Sequence, residues 1–433
     1  MDFLVTGVLG IVLLLILFFL RIPVAYALTI VGVLGYGFLT TPEAALNLLA
    51  RDLYGVFSSY GLALVPLFVF MGFIAYYAGV SKRLYNMANK LTSGIRGGLA
   101  MGTVIACTAF GAICGSTTAT AATIGSIAIP EMKRFNYGNK LSAGSVAGGS
   151  GLGILMPPSV VFIIYGILTQ VSIGKLFLAG IIPAILITIL FCIAIYFYAK
   201  LFPQETPESP RVAFVERVKS LKDVWETLFV FTLVMGGMFF GFFTPTRAGA
   251  VGSFLILLIV TIQKKLTWDN FINAVKDTLN VSCMVIMLVA GATIFGHFLA
   301  LSRLSTELAT FVAQLNLPGW AVIGVICLIY LIAGCFIDAL ALVTLTIPIF
   351  YPIVINFGYD PVWFGVIIVL ITQMGIITPP VGVNAYIIKG LAPHITLEEV
   401  FIGIIPFLIA LIIGTGLIIA FPTICTFLPD MIK

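Results

Sequence analysis

The chain has 433 residues, of which 61% are hydrophobic and 9% are charged, and its formal net charge is +5. Soluble domains carry about 25% charged residues, and no soluble fold of this size could bury so much apolar surface, so the solvent for this chain is lipid. The positive charge does not require a nucleic acid partner, because membrane proteins concentrate Lys and Arg in their cytoplasmic segments.

Apolar segments long enough to cross a bilayer start at the N-terminus and recur along the chain. About 20 residues of helix cross a hydrocarbon core of roughly 30 Å. Met1 to Leu20 lacks a basic region and a small-residue cleavage site, so we interpret it as a first span and not as a signal peptide. We predict an all-α polytopic protein with about ten crossings, at about 3–20, 22–39, 60–79, 139–170, 176–200, 227–243, 248–263, 282–301, 361–391 and 399–423.

Two further apolar stretches, 97–132 and 319–357, are each too long for one crossing. Each has a small or polar break near its middle, at 114–118 in the first and 334–338 in the second. Two half-length helices that meet at a polar turn form a re-entrant hairpin, and such backbone survives at membrane depth only when it is buried in protein or lines a cavity. The sequence therefore predicts two re-entrant hairpins.

Short amphipathic stretches precede both predicted hairpins. Apolar side chains recur at helical spacing at Leu84, Met87, Ala88 and Leu91, and again at Leu304, Leu308, Phe311 and Leu315. This pattern indicates interfacial helices. The 203–222 stretch contains Pro203, Pro207 and Pro210 among mixed charges, and we interpret it as a linker between two halves.

The distribution of basic residues supports one orientation. With the N-terminus outside, the outer segments receive only Arg51, Lys175, Arg247, Arg303 and Lys433, which leaves 17 of the 22 Lys and Arg residues in the cytoplasmic segments. Such a bias sets the orientation of a membrane protein.

The chain also contains an internal duplication. Matching residues recur at an offset of 222 or 223: Met156-Pro157-Pro158 with Thr378-Pro379-Pro380, Gly180–Pro183 with Gly403–Pro406, Pro23 with Pro245, Gly97 with Gly319, and Pro130 with Pro352. Five predicted crossings separate the span at 60–79 from its counterpart at 282–301, and an odd number inverts the second half. Inverted repeats with broken helices are typical of secondary transporters, which bind their ligands near the repeat interface.

Four segments have the chemistry of an ion site: the hairpin tip at 115–120, the broken helix at 148–159, the second hairpin near Asp338, and the broken helix at 375–384. Paired prolines free carbonyl groups of the preceding turn, and carbonyl and hydroxyl oxygens suit a monovalent cation. Half-helix N-termini at the same breaks present partial positive charge to a carboxylate or sulfonate.

From these segments we predict sodium ligands at Gly115, Ser116, Thr117, Met156, Pro157, Asp338, Thr344, Thr378, Pro379 and Gly382, and substrate contacts at Thr118, Ser159 and Asn384. The alternative for such Gly, Ser and Thr clusters is close helix packing, and for Asp338 a structural hydrogen bond. Two clusters at matching repeat positions, each with a Pro-Pro break, favour the site. For His297 we favour a packed residue over a proton relay.

The same motifs resemble a known family. The resemblance is carried by Gly115–Thr120 through Ile129–Met132, Met156–Ser159, Phe243–Thr246 and Ile377–Asn384, and it covers essentially the whole chain. The chain resembles the large membrane subunit of the tripartite ATP-independent periplasmic (TRAP) transporters. The resemblance implies an elevator mechanism, in which a transport domain slides against a scaffold and sodium ions are co-transported.

The resemblance also implies a division of the chain. Scaffold helices and the first amphipathic arm occupy 1–96, the first transport half 97–200, the cytoplasmic linker 201–226, scaffold helices and the second arm 227–318, and the second transport half 319–433.

The resemblance also implies two protein partners, a small four-span membrane subunit and a soluble periplasmic substrate-binding protein. It implies a small organic anion as the substrate, and it implies that the chain is a multi-pass protein of the bacterial inner membrane. No stretch of the chain resembles the small subunit. The chain departs from the family pattern at Arg247, where Glu usually follows Thr-Pro-Thr, which puts local salt bridges or docking contacts in question but not the transport chemistry.

Three alternatives stay open at this point. A stand-alone sodium-coupled anion carrier would share the hairpins and the repeat. A membrane-embedded enzyme would need a catalytic pair, but Asp338 is the only acid in the second hairpin, and His297 and His394 are far apart. The seven cysteines show no metal-ligand spacing, so no metal beyond sodium is expected. A purely structural subunit is disfavoured by the paired broken helices.

Overall fold

The computed structural model describes residues 3–208, 212–314 and 317–431, and the regular structure in these ranges is helical. The first half contains α1 Phe3–Phe19, α2 Val24–Leu39, α3 Pro42–Phe57, α4 Leu64–Tyr77, α5 Val80–Leu91, α6 Gly98–Cys114, α7 Thr117–Arg134, α8 Asn139–Gly151, α9 Val160–Thr169 and α10 Ile173–Leu201. A 3-10 turn, Tyr60–Ala63, leads into α4.

The second half begins after the linker. It contains α11 Phe214–Ser220, α12 Trp225–Phe239, α13 Pro245–Ile262, α14 Trp268–Leu301, α15 Leu304–Gln314, α16 Gly319–Gly334, α17 Ala339–Asn356, α18 Pro361–Ile377, α19 Val383–Leu391, α20 Leu397–Ala420 and α21 Thr423–Asp430. Within the described ranges, six helices are long and apolar enough to cross a membrane by length and composition, and six shorter apolar helices accompany them. The count of ten crossings stays a prediction.

Both predicted hairpins are pairs of helices joined at a short break. Helices α6 and α7 pack against each other, and so do α16 and α17. Gly115 turns the first break with a φ of +60°, a conformation that favours glycine. Ser116 then caps α7, and Asp338 caps α17 at the equivalent position of the second hairpin. The predicted breaks at 114–118 and 334–338 are confirmed.

The two Pro-Pro motifs interrupt helices, as predicted. Helix α8 continues as a 3-10 turn, Leu152–Ile154, and the chain becomes irregular before α9. Helix α18 ends at Ile377, and Gly382 precedes α19. Since proline has no amide hydrogen and cannot continue the helical bonding pattern, each pair ends its helix and opens carbonyl groups of the preceding turn.

The duplication is visible in the packing. The ends of α7, Thr117 and Arg134, correspond to the ends of α17 at the same offset of 222. Contacts between the halves are exchanged: α9 packs on α17 and α19 on α7, α8 packs on α20 and α18 on α10, and α2 packs on α14 and α13 on α4. A reciprocal pattern of this kind is what a two-fold relation between two similar units produces.

Two elements differ from the prediction. Residues 42–57 form helix α3, although the sequence indicated only a short connection there; Thr41 caps it and Pro42 starts it. Helix α14 begins at Trp268 and not near 282, and it runs for 34 residues. Both segments are too polar to be detected as spans, because charged residues occupy them, yet α3 buries Ala45, Leu48 and Val56, and the first part of α14 buries Ala274.

The amphipathic arms are confirmed as helices over their described residues. Helix α5 buries Leu84, Met87 and Ala88, and helix α15 buries Leu304. The predicted second stripe ends at Leu315, which lies outside the described residues, as do Pro210 in the predicted linker and Arg211 and Lys433 in the charge count. The linker carries helix α11, which packs on α5.

Candidate functional site

An open cavity of about 770 Å³ lies where the two hairpin breaks meet helices α2, α4 and α14. Hairpin residues on its wall are Cys114–Ala119, Ala122, Thr123 and Asp338–Ala341. Helices α2, α4 and α14 contribute Pro23, Val24, Ala25, Val69, Gly72, Phe73, Tyr76, Val281, Met284 and Leu288, and Phe110, Ile154, Val160 and Ile387 complete it.

The cavity brings together five of the thirteen predicted site residues: Gly115, Ser116, Thr117, Thr118 and Asp338. The other eight do not line it: Thr344 lies within α17, and Met156, Pro157, Ser159, Thr378, Pro379, Gly382 and Asn384 lie in or beside the Pro-Pro breaks. The structure thus gathers the two hairpin tips at one cavity, without the predicted residues of the Pro-Pro breaks.

The first hairpin tip presents oxygen atoms and free amides. Ser116 Oγ lies 3.2 Å from Thr118 Oγ1 and accepts a hydrogen bond from the amide of Ala119 at 3.4 Å. The Ser116 carbonyl accepts the hydroxyl of Thr120 at 2.7 Å. The first amides of a helix have no intrahelical partner, and within the described residues the amides of Thr117 and Thr118 donate no hydrogen bond.

The tip of the first hairpin rests on the first Pro-Pro break. A β-carbon at Gly115 would lie 2.6 Å from the carbonyl oxygen of Pro158, so only glycine allows this approach. The Pro158 carbonyl therefore lies against Gly115, the residue that precedes the hydroxyl-bearing tip. Carbonyl and hydroxyl oxygens are the hard ligands that a monovalent cation requires.

At the second hairpin a carboxylate, and not a hydroxyl, caps the helix, and the nearby threonine hydroxyls bond carbonyls of their own helices. Asp338 Oδ2 accepts the amide of Leu340 at 3.0 Å, and the amide of Gly382 donates to the Cys335 carbonyl at 3.3 Å. The hydroxyl of Thr344 donates to the carbonyl of Leu340 within its own helix. Thr378 Oγ1 donates to the Met374 carbonyl at 2.6 Å. These hydroxyl oxygens keep lone pairs for a cation, because their protons are already used.

The two breaks differ in exposure. Pro157 and Pro158 are buried, whereas Pro379 and Pro380 are exposed. The approximate two-fold relation therefore does not extend to the surroundings of the two breaks.

Two residues predicted to contact substrate are fully buried. Ser159 caps α9 through its hydroxyl, which accepts the amide of Phe162 at 3.4 Å. Asn384 donates from Nδ2 to Ser150 Oγ at 3.0 Å, a bond between the two halves. Gln373, also fully buried, packs against Gly151. Sequence reasoning missed Gln373, although an amide in the otherwise apolar run of α18 was a usable signal.

The cavity carries little charge. Among the described residues that line it, Asp338 is the only acidic side chain, and none is Lys, Arg or His. His297 lies elsewhere: its Nδ1 is 2.6 Å from Asp52 Oδ2, and its side chain is half-exposed. The described residues contain no cluster of three or more His, Cys, Asp or Glu that could hold a metal ion.

The sequence profile of the DctM component of the tripartite ATP-independent periplasmic transporters matches residues 11–424. The chain is 34% identical over 418 residues to the sialic acid TRAP transporter large permease protein SiaM of Vibrio cholerae, covering 96% of each chain. It is 32% identical over 393 residues to the C4-dicarboxylate TRAP transporter large permease protein DctM of Pseudomonas aeruginosa, covering 90% of this chain and 91% of that one.

Among solved structures, the crystal structure of the Alcanivorax borkumensis YdaH transporter matches with a TM-score of 0.60 over 89% of this chain and 90% of that chain. The two sequences are 14% identical, so this similarity concerns the fold alone.

Proposed function

Because the chain belongs to the DctM family and is the large membrane subunit of a TRAP transporter, we propose that it imports a small organic anion together with sodium ions through the cavity at the hairpin tips. Membership of the family makes the chain a multi-pass transporter permease and not an enzyme. The resemblance predicted from the motifs is thereby confirmed, and the enzyme alternative falls.

One observation carries the proposal. The first hairpin tip packs on the Pro158 carbonyl at Gly115 and presents Ser116 and Thr118 to the same cavity as Asp338. Neutral oxygens with one carboxylate nearby suit sodium, and the open amides at the start of α7 suit an anion. A cation and an anion that are dehydrated side by side stabilise each other, which couples their uptake.

The substrate class follows from the amides and from the relatives. The names of the two relatives give a C4-dicarboxylate and sialic acid as their substrates, and both are organic acids. For this chain we infer a carboxylate or sulfonate. Thr118 at the start of α7 is the predicted contact that reaches the cavity directly.

We further propose an elevator movement. Residues 97–200 and 319–433, which hold the hairpins and broken helices, would slide as a transport domain, while 1–96 and 227–318 form the scaffold and 201–226 link the halves. The cavity supports this division, because its walls come from hairpins on one side and from α2, α4 and α14 on the other. A ligand in this cavity would therefore touch both proposed bodies.

Transport by this subunit would require two partners in the bacterial inner membrane and periplasm: a small four-span membrane subunit and a soluble substrate-binding protein. Within the described ranges the chain is a continuous series of packed helices, with no separate domain that could capture a dilute ligand. A receptor outside the membrane would supply that affinity and leave the moving site free to release substrate inside.

Reconstitution tests the proposal. The large and small subunits would be placed in vesicles with an inward, absent or outward sodium gradient, and labelled substrate added with or without the binding protein. Uptake is expected only with the inward gradient and the binding protein. Equal uptake without sodium would refute the coupling, and robust sodium-driven uptake of free substrate would favour the stand-alone carrier.

A further inference from the structure

The two halves present different charges to the cavity at equivalent positions. Ser116 and Asp338 correspond at an offset of 222, and each caps the second helix of its hairpin. Ser116 is neutral and leaves the amides of Thr117 and Thr118 open. At α17 the carboxylate of Asp338 already accepts the amide of Leu340 and compensates the helix end. An anionic group is therefore attracted to α7, whereas the start of α17 is already compensated by its own side chain.

The remaining walls offer no basic partner for a second anionic group. They are mostly apolar, with Val69 of α4 and Met284 and Leu288 of α14, and their polar groups include the neutral hydroxyls of Tyr76 and Thr123. In the described lining there is no basic side chain to pair with another carboxylate. A second carboxylate would lose its water and gain no basic partner, and a row of hydroxyls would exceed the few neutral hydroxyls on these walls, so burial of either is costly. A hydrocarbon body would instead bury apolar surface favourably.

From this arrangement we propose that the substrate is a monoanion with an apolar body: one carboxylate or sulfonate, held at the start of α7, on a branched aliphatic or aromatic group that packs against α4 and α14. This excludes dicarboxylates and polyhydroxylated acids as preferred substrates, unlike the substrates named for the two relatives. The inference rests on the proposed function, because it assigns the substrate class of the same cavity.

Ligand binding to the purified complex of the large and small subunits tests the proposal without a binding protein. Thermal unfolding would be followed in sodium and in choline buffer against four probes: 4-methylpentanoate, 3-phenylpropanoate, glutarate and gluconate. In sodium, the half-saturating concentrations of the first two acids should be at least tenfold lower than those of the last two. Equal or tighter binding of glutarate or gluconate would overturn the inference.

A gain-of-function variant tests whether the apolar wall contacts the ligand, because a loss of stability would not produce a new ligand preference. Met284→Lys places a cation on the apolar wall, and the half-saturating concentration of glutarate should fall at least tenfold relative to that of 4-methylpentanoate. Leu279→Lys is the matched control, because Leu279 is exposed on the same helix but does not line the cavity. An unchanged ratio in Met284→Lys would contradict the assigned wall.

The outcomes distinguish this inference from the proposed function. If neither apolar acid binds while vesicles still show sodium-driven uptake of the acid that the binding protein delivers, the monoanion inference fails and the transport function stands. If sodium drives no uptake of any organic acid by the complete three-component system, the proposed function itself fails.

Discussion

Ser116 is both the cap of α7 and a proposed sodium ligand, and comparison with a second capping serine can distinguish the two roles. Its hydroxyl caps α7 and faces the cavity beside Thr118. We expect Ser116→Ala to raise the sodium concentration for half-maximal uptake about tenfold, equivalent to about 1.4 kcal/mol, because it removes one proposed oxygen ligand. Sodium titration of uptake measures this.

Ser172 provides the control for this substitution. It caps α10 with the same geometry, accepting the amide of Lys175 at 3.4 Å, but lies away from the cavity. Ser172→Ala should lose a similar cap energy, about 1 kcal/mol, without altering the sodium dependence. Identical sodium curves for the two variants would remove Ser116 from the ion site.

A matched pair of threonines tests the second break. Thr378 and Thr261 both donate their hydroxyl to the carbonyl four residues earlier, at 2.6 and 2.7 Å. Thr378→Val should raise the half-maximal sodium concentration several-fold, since its oxygen is a proposed ligand, whereas Thr261→Val should leave it unchanged. Uptake at graded sodium concentrations distinguishes them, and an effect of equal size in both variants would argue against the site.

Asn384 was predicted to contact substrate, yet its buried amide bonds Ser150 of the other half. We expect Asn384→Ala to destabilise the protein by about 1–3 kcal/mol, because Ser150 loses a buried partner. Thermal unfolding, with Ser150→Ala and the double variant completing a mutant cycle, measures the coupling. Unchanged stability together with lost substrate binding would restore the predicted role as a substrate contact.

At the scale of elements, the contact between α4 and the first hairpin lies on the boundary between the proposed scaffold and transport domain. A β-carbon at Gly72 would lie 2.8 Å from the α-carbon and 3.2 Å from the β-carbon of Cys114, so a side chain there requires a small separation of α4 from the hairpin, toward the roughly 3.5–4.5 Å between β-carbons found in disulfides. We expect Gly72→Cys to form a disulfide with Cys114 on oxidation and to stop transport reversibly.

The matched control is Gly72→Cys in a Cys114→Ala background, which removes the bond but keeps the added side chain. Oxidation should not affect uptake by that variant, and a reducing agent should restore uptake by the first. A cross-linked protein that still transports at its full rate would contradict a sliding movement between α4 and the hairpin.

The helix breaks could be predicted from sequence because Gly, Pro and hydroxyl residues mark them in an apolar background. The start of α14 at Trp268 and the whole of α3 could not, since charged positions in amphipathic helices resemble loops when judged by apolar length. The residues that form the cavity wall could not be predicted from sequence either. Val69 and Met284 have the same side-chain chemistry as residues that face lipid, and only the packing shows which of them meet a ligand.

At the scale of the whole molecule, the exchanged contacts relate the halves by an approximate two-fold axis, and the charge bias predicts that the second half is inverted. Cysteines introduced singly at 133–140 should react with an impermeant maleimide only from the cytoplasmic side. Cysteines next to Arg303 should react only from the outside. Labelling of intact cells and of inverted vesicles measures this, and the same sidedness at both positions would refute the inverted arrangement.

Gly151 and Gln373 are counterparts in the two halves, and they touch each other, which places them on the axis itself. A β-carbon at 151 would lie 2.4 Å from Cγ of Gln373, so a glutamine on both sides would not fit. Two identical chains paired by this symmetry would have to carry the same residue at both positions, and could not place a long side chain there. Joining the halves in one polypeptide removes that restriction. Position 151 can remain glycine while position 373 carries a buried amide side chain on the axis.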